Sequence, residues 1–246
     1  TAGMMIEDRT RTYTIAMERT VVPENFSFRM TDEEYRVLEK IKNSIPVCYL
    51  ADHADFALGI VTGNNKKFLS AEKTEHSEMV LKGTDICKYH INPAKQYLRF
   101  EPEQFQQVAP LEIYRASEKL LYRFISNQLV VAYDDRQMLS LNSCNIVIPK
   151  IEGMQIKYIL AILNSSVSQF VYQKEFHSIK VLRAHMEHIP IPRVGKTIQN
   201  EIIAMTEPLI CGMGKEAAET CQKRLDGRIM DLFRLSAEEQ WIIRHA

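Results

Sequence analysis

The sequence predicts an α+β fold, and three observations carry that reading. Short β-favouring runs are punctuated by Gly, Asn, Asp and Pro between residues 46 and 149, an apolar stripe of helical period covers 156–176, and helical patterns resume beyond Pro192. The expected architecture is therefore a β-rich domain with a mixed or antiparallel sheet, a long packed helix and a C-terminal helical tail. With 246 residues, 46% of them hydrophobic, the chain can bury a sizeable core in one large domain, or in one domain with a small appendage. Balanced charge, 31 basic against 31 acidic side chains, argues against disorder.

The first element is announced by Thr31 followed three residues later by Glu34, a capping box. Tyr35, Leu38 and Ile41 continue at helical spacing, and Asn43-Ser44 stops the helix before Pro46. Strands are expected at Val47–Leu50, Leu58–Thr62, Lys67–Leu69, Tyr97–Phe100, Leu120–Ile125, Leu129–Tyr133 and Asn145–Pro149. Gly63-Asn64-Asn65 between two of these runs reads as a hairpin, because Gly and Asn tolerate positive φ. Ile159, Leu160, Ile162, Leu163, Val167, Phe170 and Val171 define one helix, Ile156–Phe176. Ile189-Pro190-Ile191-Pro192 cannot be helical, and 197–224 and 236–245 read as the helices of the tail.

Most tests for chemistry fail. Gly212-Met213-Gly214-Lys215 is too short for a phosphate-binding loop and reads as a helix irregularity. His185-Met186-Glu187-His188 lacks metal-site spacing and reads as a surface turn, and Asp134-Asp135 also suits a turn better than a Mg²⁺ site. No Glu is followed two residues later by Lys, and no Gly-x-Ser-x-Gly elbow exists. The five Cys form no C-x-x-C, so buried thiols in a reducing compartment are expected. No apolar run is long enough for a membrane span, so a soluble, cytoplasmic protein without a membrane partner is expected.

What stands out are polar and basic clusters on expected loops. Thr62, Gly63, Asn64, Asn65, Lys66 and Lys67 put two amides and two ammonium groups on one tip. Amides bind adenine edges and Lys reaches guanine or phosphate, so the tip can read DNA, although composition alone favours a solvated tight turn. Lys119 and Arg123 form a second cluster. Lys180 and Arg183 form a third within His177–Arg183, and share one helical face if the long helix continues. Charge is uneven: residues 112–193 hold 10 basic and 7 acidic groups, against 7 and 10 in residues 1–58.

The order of motifs resembles the TaqI-like C-terminal specificity domain, the target-recognition part of adenine-specific DNA methyltransferases and fused restriction-modification enzymes. Gly59-Ile60-Val61-Thr62-Gly63-Asn64-Asn65-Lys66-Lys67-Phe68-Leu69 is similar to its opening G-I-x-T-G-x-N-x-x-F, and Leu81-Lys82-Gly83-Thr84-Asp85-Ile86 to its L-(R/K)-G-x-D-I. Lys119–Arg123, Ser140–Pro149, Tyr158–Ser165 and His188–Pro192 follow in the family's order, and Leu225–Glu239 resembles a segment that ends many such enzymes.

The resemblance implies that residues 1–45 are a linker and short helix from an absent methyltransferase domain, 46–193 the target-recognition domain, and 194–246 a helical segment. The implied partners are double-stranded DNA and the methyltransferase domain of the same parent chain. The implied DNA-binding residues are the three clusters above, Thr62 to Lys67 first. The catalytic (N/D)-P-P-(Y/F) motif is missing, its nearest string being Asn92-Pro93-Ala94-Lys95, so no catalytic residue and no cofactor are expected in this chain. S-adenosylmethionine is expected on the absent domain. A protein-interaction module of a restriction-modification complex and a nuclease with an unrecognised site are the rival readings.

Overall fold

A computed structural model of the chain describes residues 3–7, 12–16, 30–176 and 178–246. Two outlying strands, β1 (Gly3–Glu7) and β2 (Thr12–Ala16), pair antiparallel. Helix α1 (Asp32–Asn43) begins with the expected capping box: the Thr31 hydroxyl accepts from Glu34 N–H, and the Glu34 carboxylate accepts from Thr31 N–H. The β-rich region then runs through β3 (Val47–Cys48), β4 (Ala54–Ala57), α2 (Asn65–Phe68), β5 (Leu69–Ser70), β6 (Ser77–Leu81) and β7 (Gln96–Arg99). It continues with α3 (Leu111–Tyr114), β8 (Lys119–Arg123), β9 (Val131–Asp134), β10 (Leu139–Ser140) and β11 (Cys144–Pro149). The remainder is α4 (Ile156–Asn164), α5 (Ser166–Phe176), α6 (Arg183–Glu187), β12 (Ile191–Pro192), α7 (Lys196–Ile210), α8 (Lys215–Leu232) and α9 (Ala237–His245).

The fold is α+β and is organised by one antiparallel sheet of order β4-β11-β8-β9. Side chains alternate across a strand, so its two faces can be read off the register. Phe56, Val147, Leu120 and Tyr133 align across the four strands and join the core shared with the helices. Their neighbours Ala57, Ile146, Leu121 and Ala132 align on the opposite face, against a smaller core. Both faces are thus covered, which explains why Leu120–Tyr122 of β8 and Ile146–Ile148 of β11 are apolar without alternation. The smaller core is closed by a mixed sheet, β10-β6-β7-β5, in which only β10 and β6 run parallel.

The long helix of 156–176 is two helices. Ser165 is extended, and its hydroxyl accepts from Ser168 N–H while donating to Ile162 carbonyl, so it ends α4 and starts α5 in one step. Asn164, just before the break, donates to Val131 carbonyl and accepts from Val131 N–H, acting as a ladder partner for the edge of β9. The segment 197–224 is likewise interrupted. Gly212 at φ +78° follows α7, and Gly214 caps α8, so Gly212-Met213-Gly214 is the link between two packed helices. Among the described residues no helix is long and apolar enough to cross a membrane. Only Cys48 and Cys144 of the five thiols are buried; Cys211 is exposed and Cys87 and Cys221 are intermediate.

The hairpin expected at Gly63 does not form. Ile60 bridges Leu141 in parallel and Val61 bridges Gln107, while Leu69 pairs with Leu98 of β7. The runs on either side of Gly63 therefore pair with different partners. Asn64 caps α2, its carboxamide oxygen accepting from Lys67 N–H, and this local bond favours a helical turn over a tight β-turn.

Candidate nucleic-acid interface

The end of the central sheet where Arg123 pairs with Cys144 gathers loops from four parts of the chain. The turn Leu141–Ser143 is held there by backbone bonds from Leu141 N–H to Leu81 carbonyl and from Asn142 N–H to Ile60 carbonyl. Two glycines make this approach possible. A Cβ on Gly59 would lie 2.1 Å from the Leu141 carbonyl oxygen, and one on Gly83 2.5 Å from that of Ser143. Gly83 N–H also donates to the Ser143 hydroxyl at 3.0 Å.

These contacts bring Asn65, Lys66, Leu69, Lys82, Gln96, Leu141, Asn142 and Ser143 around one open concavity of about 380 Å³. Three carboxamides, one hydroxyl and two ammonium groups line it, and no carboxylate does. Among the described residues neither Lys66 nor Lys82 has an ion-pair or side-chain hydrogen-bond partner. Asp85, three residues on from Lys82, turns its carboxylate to Lys82 N–H at 2.8 Å. Gln96 carries a buried amide oxygen with no partner. The surface thus offers fixed amide donors and acceptors beside unpaired positive charge, the combination that suits base edges flanked by phosphates.

The expected first cluster divides here. Asn65 and Lys66 line the concavity. Thr62 is buried and donates its hydroxyl proton to the Asn65 carboxamide oxygen at 2.6 Å, so it orients Asn65 from behind. Gly63 supplies positive φ and Asn64 the cap, both structural. Lys67 turns away, donating to the Gln104 carboxamide oxygen at 2.7 Å with its ammonium 4.8 Å from the Phe68 ring centroid. Lys82, Gln96 and Asn142 were missed by sequence reasoning. Lys82 and Asn142 each lay inside a motif quoted above, Leu81–Ile86 and Ser140–Pro149, but Gln96 carried no signal until the pairing of β7 with β6 brought it to the site.

The second cluster is a correction. Lys119 is fully buried, pairs with Asp134 at 2.5 Å and donates to Tyr114 carbonyl at 2.6 Å. Arg123 donates to the carbonyls of Gly83 and Ile86 at 2.9 and 2.5 Å. Lys119 is sealed inside the fold because β8 is covered on both faces, whereas Arg123, at the strand's end, is partly exposed with its guanidinium held by those two carbonyls. Asp134 forms the expected turn, accepting from the N–H groups of Arg136 and Met138.

The third cluster is split. The helix stops at Phe176, so Lys180 and Arg183 share no helical face, and His177 lies outside the described residues. Lys180 is exposed and bridges Ile125, one strand-end away from the concavity. Arg183 opens α6, pairs with Glu187 at 2.7 Å, and lies 5.2 Å from the Phe56 ring centroid. It borders a second cleft of about 680 Å³ lined by Phe56, Leu58, Pro110, Ile113 and Tyr122. Burial pushes the Tyr122 hydroxyl up to about 12. The segment holding His185 is the helix Arg183–Glu187, and only His188 lies in a turn: His185 is buried, stacked 4.5 Å from the Phe176 ring, and its Nδ1 accepts from Leu182 N–H.

No curated protein sequence matches the chain. Among solved structures it is similar to the type IIL restriction-modification enzyme MmeI in complex with DNA. The TM-score is 0.53 at 10% identity, covering 81% of this chain and 37% of that one, a likeness of fold. It also matches a type I restriction-modification assembly (TM-score 0.45, 12% identity, 87% of this chain and 51% of that one). A further match is the HsdS subunit from Thermoanaerobacter tengcongensis (TM-score 0.42, 13% identity, 87% and 50%). The chain therefore spans about half, or less, of the solved chains it matches. The family model of the TaqI-like C-terminal specificity domain matches residues 78–191. The Gly59–Leu69 motif lies before that stretch, and the structure joins it there through the Ile60–Leu141 bridge. Over residues 78–191, 114 of the 246 positions, this chain is similar to the TaqI-like C-terminal specificity domain.

Proposed function

We propose that this chain is the target-reading part of a restriction-modification enzyme, acting in the cytoplasm. In this reading it docks on duplex DNA and determines which adenine meets a methyltransferase domain of the same parent chain. The family match supports the reading, and the acid-free concavity of Asn65, Lys66, Lys82, Gln96, Asn142 and Ser143 is the observation that carries it. Lys66 and Lys82 would neutralise phosphates, which supplies affinity, while the three carboxamides would meet base edges, which supplies discrimination. S-adenosylmethionine would belong to the catalytic domain. Asn92-Pro93-Ala94-Lys95 does not fit that role, since the Asn92 carboxamide is engaged with Cys87 Sγ at 3.2 Å and no aromatic follows.

The formal net charge of zero predicts weak binding by this chain alone, so affinity is to be measured at low salt. A gel shift with mixed-sequence duplexes, repeated over a salt series, tests the reading. Each phosphate contact contributes about 0.9 to the slope of log K against log salt, so Lys66→Ala with Lys82→Ala should reduce that slope by about 2. Asn142→Ala should leave the slope unchanged and relax sequence preference. An unaltered slope in the double variant contradicts the assignment of the two lysines.

A further inference from the structure

The two edges of the central sheet are finished differently. At β9 the edge is closed: Tyr89 N–H donates to Val131 carbonyl, Tyr133 N–H to Tyr89 carbonyl, and the Asn164 carboxamide pairs with both backbone groups of Val131. At β4 it is open. Lys150 N–H donates to His53 carbonyl directly opposite, so by the alternation of an antiparallel ladder His53, Asp55 and Ala57 turn their backbone groups to β11. Ala54, Phe56 and Leu58 therefore turn theirs outward. The Leu58 carbonyl accepts from the Tyr114 hydroxyl, but among the described residues nothing bonds the N–H or the carbonyl of Ala54 or Phe56.

This open stretch lines the cleft of about 680 Å³. The chain turns away before it at Asp52, whose φ is +57°, and beyond it Leu58 and Ala109 are both tied to the Tyr114 hydroxyl, so only Ala54 and Phe56 leave free edge groups. That is too short for an added strand, which runs to roughly three residues or more. It suits one flat ring. Phe56 and Tyr122 join the helix-side core while Ala109 and Ile113 pack with the smaller core, so the cleft has an apolar wall on each side of the plane of the sheet. The charged groups that line it are already paired, Asp55 with Lys150 at 2.5 Å and Arg183 with Glu187 at 2.7 Å, which favours a neutral ring over an ion. On the edge itself the Ala54 carbonyl stands beside the Phe56 N–H, an acceptor next to a donor. Adenine carries the complement, an amine next to a ring nitrogen.

We infer that this cleft binds an adenine ring in line with the sheet, its 6-amine donating to Ala54 carbonyl and its N1 accepting from Phe56 N–H, with apolar side chains against both faces. N1 and the amine lie across the ring from the sugar, so the sugar points out of the cleft. The base arrives either on a free nucleoside or nucleotide, or standing out of a nucleic acid. The site is separate from the polar concavity, and its loss would leave the assignment of Lys66 and Lys82 untouched.

Isothermal titration of the full chain with adenosine, 7-deazaadenosine and 1-deazaadenosine tests the inference. The first two should bind alike and the third about tenfold weaker, because the Phe56 N–H is then left without a partner. Phe56→Pro removes an outward N–H that no ladder bond uses and should abolish this preference, whereas Phe56→Leu should keep it at reduced affinity. Ala109→Trp fills the cleft from the opposite wall and should abolish binding, which keeps the test decisive if the Pro variant does not fold. A duplex holding an adenine opposite an abasic site separates the two sources: competition with adenosine by this duplex and not by a fully paired one assigns the base to nucleic acid, and absence of competition assigns it to a free nucleotide. Saturable binding of neither adenosine nor the unpaired-adenine duplex would overturn the site. So would equal affinity for adenosine and 1-deazaadenosine, or binding undiminished in Ala109→Trp.

Discussion

Lys119 and Lys66 are the same residue type in similar polar clusters, yet one is sealed in the fold and the other faces solvent at the concavity. Burial lowers the Lys119 pKa, and the hydrogen bond that its ammonium donates to the Asp134 carboxylate opposes that shift. Removing one member of such a pair leaves the other charge buried without compensation. Lys119→Met should therefore lower stability by about 3 kcal/mol in a urea titration while duplex binding per folded molecule is unchanged. His185 offers a second test. Burial depresses its pKa below 6.5, so the unfolded chain takes up this proton at a higher pH than the folded one. Its contribution is present above about 6.5 and is lost as pH falls toward the depressed folded-state value. The urea midpoint should fall between pH 7 and about pH 5.5, and fall less in His185→Phe, which keeps the stack on Phe176. Asp226, whose carboxyl is pushed up by burial, works in the opposite direction, so the difference between the two proteins is the informative quantity.

The legible elements are those fixed by local chemistry. The capping box of α1 and the apolar runs of β8 and β11 follow from residues close in sequence. The misread ones depended on distant partners. The pattern across 156–176 keeps its period through the break at Ser165, because both helices bury the same kinds of side chain against one core. Strands β4, β6 and β10 escaped notice, as did the separation of the two runs around Gly63, since their pairings join residues far apart. The site was visible in part for the same reason: Asn65 and Lys66 are contiguous in the chain, whereas Gln96 reaches them through the pairing of β7 with β6 and β5, and Asn142 through the Leu141–Ser143 turn. That turn depends on Gly83. Gly83→Ala must displace the Ser143 carbonyl, which should lower stability by about 1–3 kcal/mol in thermal melts and weaken duplex binding beyond that loss.

The whole molecule stacks a helical layer, a central antiparallel sheet buried on both faces, and a small mixed sheet. The loops at one end of the central sheet are thereby fixed by backbone bonds to strands, which gives amide side chains defined positions without a large positive field. A neutral chain built this way favours discrimination over affinity, as the proposed target-reading role requires. The most direct test of this account is amide hydrogen exchange of the chain with and without mixed-sequence duplex at low salt. Protection should rise in 62–69, 81–84 and 141–143 and stay unchanged in α7 to α9. Protection confined to α7 to α9, with none at the concavity, would contradict it.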